Sequence, residues 1–129
     1  GQRTLIDLAQ WLEQGFLLRE KSFREALKQE DWEKYQDHHV AIHCSSEAII
    51  PAWAALLVTS YLHPYAKEIV MGTLADLERH LFAKMIAELD LSPFADKPLI
   101  IKGCSDTSIP EDAYIQLIQR LQPVAKSLF

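Results

Sequence analysis

Apolar positions along the chain follow two periods, one of helices and one of strands. In residues 74–89 they fall at Leu74, Leu77, Leu81, Phe82, Met85 and Ile86, with Glu78, Arg79, Lys84 and Glu88 opposite. Spacings of three and four line one face of a helix. Thr73 and Asp76 precede it as a capping box with Asp in the acidic slot. The short apolar runs at 40–42, 67–71, 99–101 and 125–129 have the length of strands. Residues 51–62, "PAWAALLVTSYL", are apolar nearly all round, with Thr59 and Ser60 as the clear exceptions. This predicts a helix covered on two sides, with Pro51 in the first turn, where its missing N–H costs nothing. Ahead of these elements, residues 5–14 and 22–30 read as short helices, ended by Gly15 and capped by Ser22. "FLLRE" between them reads as an edge strand and "DWEKY" as one helical turn.

The two proline-bounded helices belong to a longer similarity. At a constant offset of 59, Pro51, Ala54, Leu62, Pro64, Ala66 and Lys67 meet Pro110, Ala113, Leu121, Pro123, Ala125 and Lys126. One inserted residue further back, Cys44-Ser45 meets Cys104-Ser105. Each half reads as strand, helix, strand, and a crossover of that length makes a parallel, right-handed βαβ unit. The expected architecture is therefore a single α/β domain over 1–129. A four-stranded, mainly parallel sheet is built from a duplicated βαβ unit, with helices on both faces and extra N-terminal helices. Residues 1–37 form the N-terminal helical segment, 38–72 the first repeat, 73–98 a connecting helix and loop, and 99–129 the second repeat.

Composition narrows the class. With 129 residues and 49% hydrophobic content, the chain can bury a core of its own. A net charge of −5 supplies no basic excess to neutralise phosphates, which argues against nucleic acid as a partner. The longest apolar stretch, residues 48–58, is interrupted by Pro51 and is far shorter than the roughly 20 residues a membrane span needs, so no membrane is expected either. Two cysteines are too few for a disulfide framework and fit reduced thiols in a cytoplasmic protein. The chain opens on Gly1 rather than Met and stops at "AKSLF", so a trimmed start and a continuation beyond Phe129 are expected.

The candidate chemistry gathers at the paired strand ends: Cys44, Ser45 and Glu47 in one half, Cys104, Ser105 and Asp106 in the other. In a doubly wound sheet these ends would be neighbours at a switch point, the usual ligand crevice. The helix N-termini there would favour a thiolate or a bound anion. The plainer reading makes each cysteine a small apolar residue at a strand end. Several familiar motifs are missing. Position 50 is Ile and position 110 is Pro, where a cysteine phosphatase loop needs Arg, and there is no C-x-x-C, G-x-G-x-x-G or G-x-x-x-x-G-K-[ST]. His38 and His39 read as a solvated loop pair and His43 as an end-of-strand residue. On a strand, His39 and His43 share one side and Cys44 faces the other.

The segments "LREKSFREAL", "DWEKYQDHHVAIHCSSEAIIPAWA", "KGCSDTSIPEDAY" and "LQPVAKSLF" resemble a bacterial family catalogued as domain of unknown function 2480. The resemblance implies no activity. It does imply that members continue with a Gly-Glu-x-Cys-Ser tail, and that their genes lie beside iron–sulfur assembly genes. A third cysteine from such a tail would let Cys44 and Cys104 take part in a zinc or iron–sulfur site, whose ligands are thiolates. Without a further ligand outside this segment the set is incomplete. Three functional readings follow: a non-catalytic cytoplasmic accessory with a thiol or metal-binding site in iron–sulfur metabolism; a small-molecule or anion-binding domain at the switch point; or an interaction protein that makes a homodimer through helix 51–62 and keeps its cysteines for structure.

Overall fold

The computed structural model describes residues 1–102 and 109–129. The backbone groups into two compact units, Gly1–Leu77 and Glu78–Phe129. In the first unit, strand β1 (Arg3–Asp7) leads through a 3-10 turn to helix α1 (Glu20–Gln29). A second 3-10 turn, Trp32–Tyr35, precedes β2 (His39–His43), which is followed by α2 (Ala52–Leu62) and β3 (Glu68–Met71). Both strand pairs are parallel and the order is β1-β2-β3.

Alternation along the strands decides where the core lies. Ile6 pairs in register with Ile42, and Val40 stands two residues away on the same side. These side chains pack with Phe23 and Leu27 of α1 and with Ala54, Val58 and Leu62 of α2. Both helices therefore cover one face. With strands in the order 1-2-3, right-handed crossovers move in one direction and place successive helices on the same side.

The first strand brings a correction. Residues 5–14 do not form a helix; β1 ends at Asp7, and a 3-10 turn covers Leu8–Trp11. The apolar spacing of Leu5, Leu8 and Leu12 suits a helix, but a strand followed by a tight turn meets it equally. Asp7 makes the break by accepting the Ala9 amide at 2.9 Å, an Asx turn. "FLLRE" contributes one isolated antiparallel bridge, Glu13 to Leu17, rather than a strand. The helix expected at 22–30 is α1, but it begins at Glu20, so Ser22 lies inside it and does not cap it; "DWEKY" is the expected single turn.

The second unit takes in most of α3 (Leu74–Ala87) and all of α4 (Glu111–Leu121), with a 3-10 turn at Ser92–Phe94 between them. The runs at 99–101 and 125–129 are not strands. They meet at one parallel bridge, Pro98 to Ser127, supported by Leu99 N–H donating to Ser127 and Lys126 N–H to Lys97 at 2.7 and 2.9 Å. Pro98 brings no amide to that ladder. The described residues thus form a sheet of three strands, not four.

The expected capping box is present at α3. Thr73 N–H donates to Asp76 Oδ2 at 2.8 Å, and Asp76 N–H donates to Thr73 Oγ1 at 3.2 Å. Gly72 makes the turn into it with φ +141°, and a Cβ there would lie 2.3 Å from Asp76 Oδ2. Gly72→Ala must strain the backbone and push the cap aside. We expect a loss of at least about 1 kcal/mol in urea unfolding; an unchanged midpoint would show that the cap relaxes freely.

Candidate functional site

The carboxyl ends of β1 and β2 bring together residues far apart in sequence. Asp7 closes β1 and stands in register with His43, which closes β2. The loop after β2 then folds onto Asp7. Ser45 Oγ donates to Asp7 Oδ2 at 2.6 Å, and Ser45 N–H donates to Oδ1 at 3.0 Å. With the Ala9 amide, three donors converge on one carboxylate. Burial pushes the Asp7 carboxyl up, but the Ser45 hydroxyl, the Ala9 and Ser45 amides and the nearby His43 outweigh it and leave it below the usual range.

This geometry limits the chemistry. The Ser45 hydroxyl and amide are both spent on Asp7, so neither is turned toward a bound anion, and the ionised carboxylate would repel one. Ser45 gives its proton to a carboxylate, a weak base at neutral pH, which does little to activate a hydroxyl as a nucleophile. Cys44 is half-buried and packs against the apolar core, on the opposite side of the strand from His43, as the alternation predicted. Glu47 is exposed in the following loop. Cys104, Ser105 and Asp106 lie outside the described residues. Among the described residues no three His, Cys, Asp or Glu side chains converge to hold a metal ion. Cys44 alone does not fit zinc or an iron–sulfur cluster. The three described strands follow chain order without reversal, so they contain no switch point.

The histidines also differ from the expected pattern. His38 and His39 are half-buried rather than solvated. His38 Nδ1 lies 3.0 Å from Thr4 Oγ1. The buried Nδ1 of His39 has no hydrogen-bond partner among the described residues. Asp7 is the residue that sequence reasoning missed. The signal was an Asp two positions before an amide it could accept, hidden by reading residues 5–14 as a helix.

A second candidate is an apolar groove of about 370 Å³ between α2 and β3. Ile42 and Ile69 form its floor, Ala55 and Thr59 line its α2 wall, and Leu56 and Met71 stand at its rim, 67% and 63% exposed. The outer edge of β3 pairs with no strand among the described residues.

A family model described as "Protein of unknown function (DUF2480)" matches residues 1–129. The chain belongs to that family. No curated protein and no solved structure matches it. Membership in DUF2480 settles the resemblance seen in the sequence and carries no chemistry with it, so the site must be read from its geometry. No helix among the described residues is long and apolar enough to cross a membrane.

Replacing Asp7 tests the loop anchor. Asp7→Asn should cost about 1–2 kcal/mol at pH 7, because it loses the charge-assisted bonds from Ser45 and Ala9. The folded pKa lies below the unfolded value of about 3.9, so the native contribution is complete above that value and is lost as pH falls through the folded one. Urea midpoints measured from pH 7 down to pH 3 should converge for the two proteins. A constant gap across that range would show that the carboxylate charge is irrelevant.

Proposed function

We propose that this DUF2480 chain is a non-catalytic interaction protein that forms a homodimer through α2 and the edge of β3. The observation that carries this reading is the apolar groove beside the outer edge of β3, which pairs with no strand among the described residues. A sheet edge with unpaired amides and carbonyls is a template for another strand and is normally blunted or covered. Pairing the edge with its own copy across a two-fold axis is self-complementary, as a C2 interface requires. It would also cover Leu56 and Met71, whose burial is favourable at roughly 25 cal/mol per Å². On this reading Cys44 is a packing residue. The thiol or metal reading, with its iron–sulfur connection, and the anion-binding reading gain nothing from the described half of their site.

We also infer that the scaffold is a duplicated unit, and backbone detail at the offset of 59 supports it. Helix α2 (Ala52–Leu62) and helix α4 (Glu111–Leu121) correspond end to end, each preceded by an extended proline. Asp37 and Asp96 both adopt positive φ, 62° and 54°. Their amides donate to Tyr65 and Val124 at 2.9 and 2.7 Å. Lys67 N–H donates to His38 at 2.8 Å, as Lys126 N–H does to Lys97 at 2.9 Å. The pair His39–Glu68 in the sheet corresponds to the bridge Pro98–Ser127. At the same offset Phe23 and Leu27 of α1 correspond in sequence to Phe82 and Ile86 of α3.

Light scattering at about 100 µM, where a micromolar dimer is largely associated, should report twice the chain mass. A Leu56→Glu, Met71→Glu variant should run as a folded monomer with an unchanged far-ultraviolet spectrum. A native chain that is monomeric at that concentration, or a variant that stays dimeric, would sink the dimer. Alkylation supplies a separate check on the cysteine. Cys44 in the native chain should react with iodoacetamide far more slowly than a free thiol of pKa about 8.5 and become ordinary in urea; fast native reaction would return the thiol site to consideration.

A further inference from the structure

The outer edge of β3 carries a fixed pattern of donors and acceptors. Gly72 N–H donates to the Ile42 carbonyl at 2.8 Å, so position 72 is turned toward β2. Alternate residues of a strand turn their amide and carbonyl to alternate edges. Glu68 and Val70, in register with His39 and Ala41, are therefore turned to β2 as well. Ile69 and Met71 turn theirs outward, to the edge that pairs with no strand among the described residues. The pattern stops on both sides. The Lys67 amide is donated to His38 at 2.8 Å, and the Thr73 amide to Asp76 Oδ2 at 2.8 Å. The edge of β3 thus offers two complete residues to a partner strand.

We infer, resting on the homodimer proposed above, that a second copy of the chain pairs antiparallel with this edge about Val70, and that its Met71 side chain fills the groove between α2 and β3. Antiparallel bonding needs outward-facing residues opposite one another, which leaves three two-fold registers, centred on Ile69, Val70 or Met71. Centred on Val70, Ile69 of each copy faces Met71 of the other, and all the outward amides and carbonyls are paired. Centred on Ile69, the Met71 carbonyl faces Lys67 of the second copy, whose amide is spent on His38. Centred on Met71, the Ile69 carbonyl faces Thr73 of the second copy, whose amide is spent on Asp76. Each shifted register buries a carbonyl without a donor, which is costly.

The side chains agree with the Val70 register. Val70 meets Val70 of the second copy, a β-branched pair of the kind that stabilises sheets. Glu68 meets Gly72, which has no side chain to oppose it. On the α2 side, Met71 of the second copy stands across from Ile69 in the floor of the groove, within reach of Ala55 and Leu56. A long, flexible thioether suits an irregular apolar groove, and Met71 is exposed in the single chain. Charge agrees too. Lys67 comes opposite Thr73 of the second copy, where the Asp76 carboxylate accepts from the Thr73 amide and hydroxyl. Opposite charges then face each other at both ends of the strand pair.

Amide exchange in the native chain and cross-linking of variants test this. In the dimer, the Ile69 and Met71 amides should exchange at least about ten-fold more slowly than free-peptide rates. Dilution into the monomer should release those two amides, while Val70 and Gly72, bonded to β2, keep their protection. Val70→Cys should form a disulfide between copies under mild oxidation, because a non-hydrogen-bonded pair lies about 4.5 Å apart at Cα, within disulfide reach. Peptide mass distinguishes that bridge from one to Cys44 or Cys104. Glu68→Cys, displaced from its own copy by four residues or about 13 Å, should not link. A bridge through Glu68→Cys, Ile69→Cys or Met71→Cys that forms faster than the Val70→Cys bridge would overturn the register and leave the homodimer standing. Free-peptide exchange of Ile69 and Met71 in a chain that light scattering shows to be dimeric would do the same. A chain that is monomeric at about 100 µM would overturn the register and the homodimer together. Should Val70→Cys fail to fold, the exchange rates of the native chain decide alone.

Discussion

Everything in the first unit depends on burying β2 from every side. Val40, Ala41 and Ile42 are at most 1% exposed, and the strand is hydrogen-bonded to β1 on one edge and β3 on the other. A strand so enclosed has no water to satisfy its amides, so both neighbours must be in register for the core to form at all. That requirement explains the short, β-branched centre of "HVAIH". It also explains why the residues at its carboxyl end become fixed: a buried strand must leave the core somewhere, and the loop that follows is pinned at once by Asp7. The position of Ser45 is thus a consequence of the core, with the candidate site assembled at the first place where polar groups can reappear.

The aromatic cluster is the second consequence. Two helices on one face of a three-stranded sheet leave a wedge between them that aliphatic side chains of α1 and α2 only partly fill. Trp11, Trp32 and Trp53 pack there, and the indole of Trp32 links the two helices by donating to the Leu27 carbonyl of α1 and stacking on Tyr61 of α2. Arg24 lies over the Trp53 ring, 4.9 Å from its centroid, sheltering the cluster from outside. All the largest fully buried side chains among the described residues, from Ile6 to Leu77, lie in this first unit. The physical weight of the fold is therefore unevenly shared, although the backbone turns of the two units match.

Much of the fold was legible because its signals were local. The proline-bounded helices, the capping box at Thr73 and Asp76 and the strands β2 and β3 each followed from a cap, a breaker or a period read within about ten residues, whereas α1 was placed but its start was misread at Ser22. β1 was not legible. Its alternation covers five residues, and the run to Leu12 also satisfies a helical period, so only the pairing with β2, some 36 positions away, decides between them. The fourth strand failed for the opposite reason: residues 99–101 have a strand's composition, but proline begins the ladder and a single bridge forms among the described residues. The candidate site inherited the first of these errors. Cys44, Ser45 and Glu47 were visible at a strand end, while the carboxylate that commits Ser45 was assigned to a helix.

The faces of a strand also separate the two chemistries that the sequence placed side by side. Cys44 and Ser45 are adjacent, which makes them look like parts of one site. In a β geometry adjacent side chains point to opposite faces. Cys44 joins the apolar layer beneath α1 and α2, and Ser45 turns to Asp7 across the strand ends. Cys44 is half-buried and, like Ile50, packs against the core cluster that holds Ile42. The polar groups at the strand ends hold the loop, and Cys44 packs against the core beneath it.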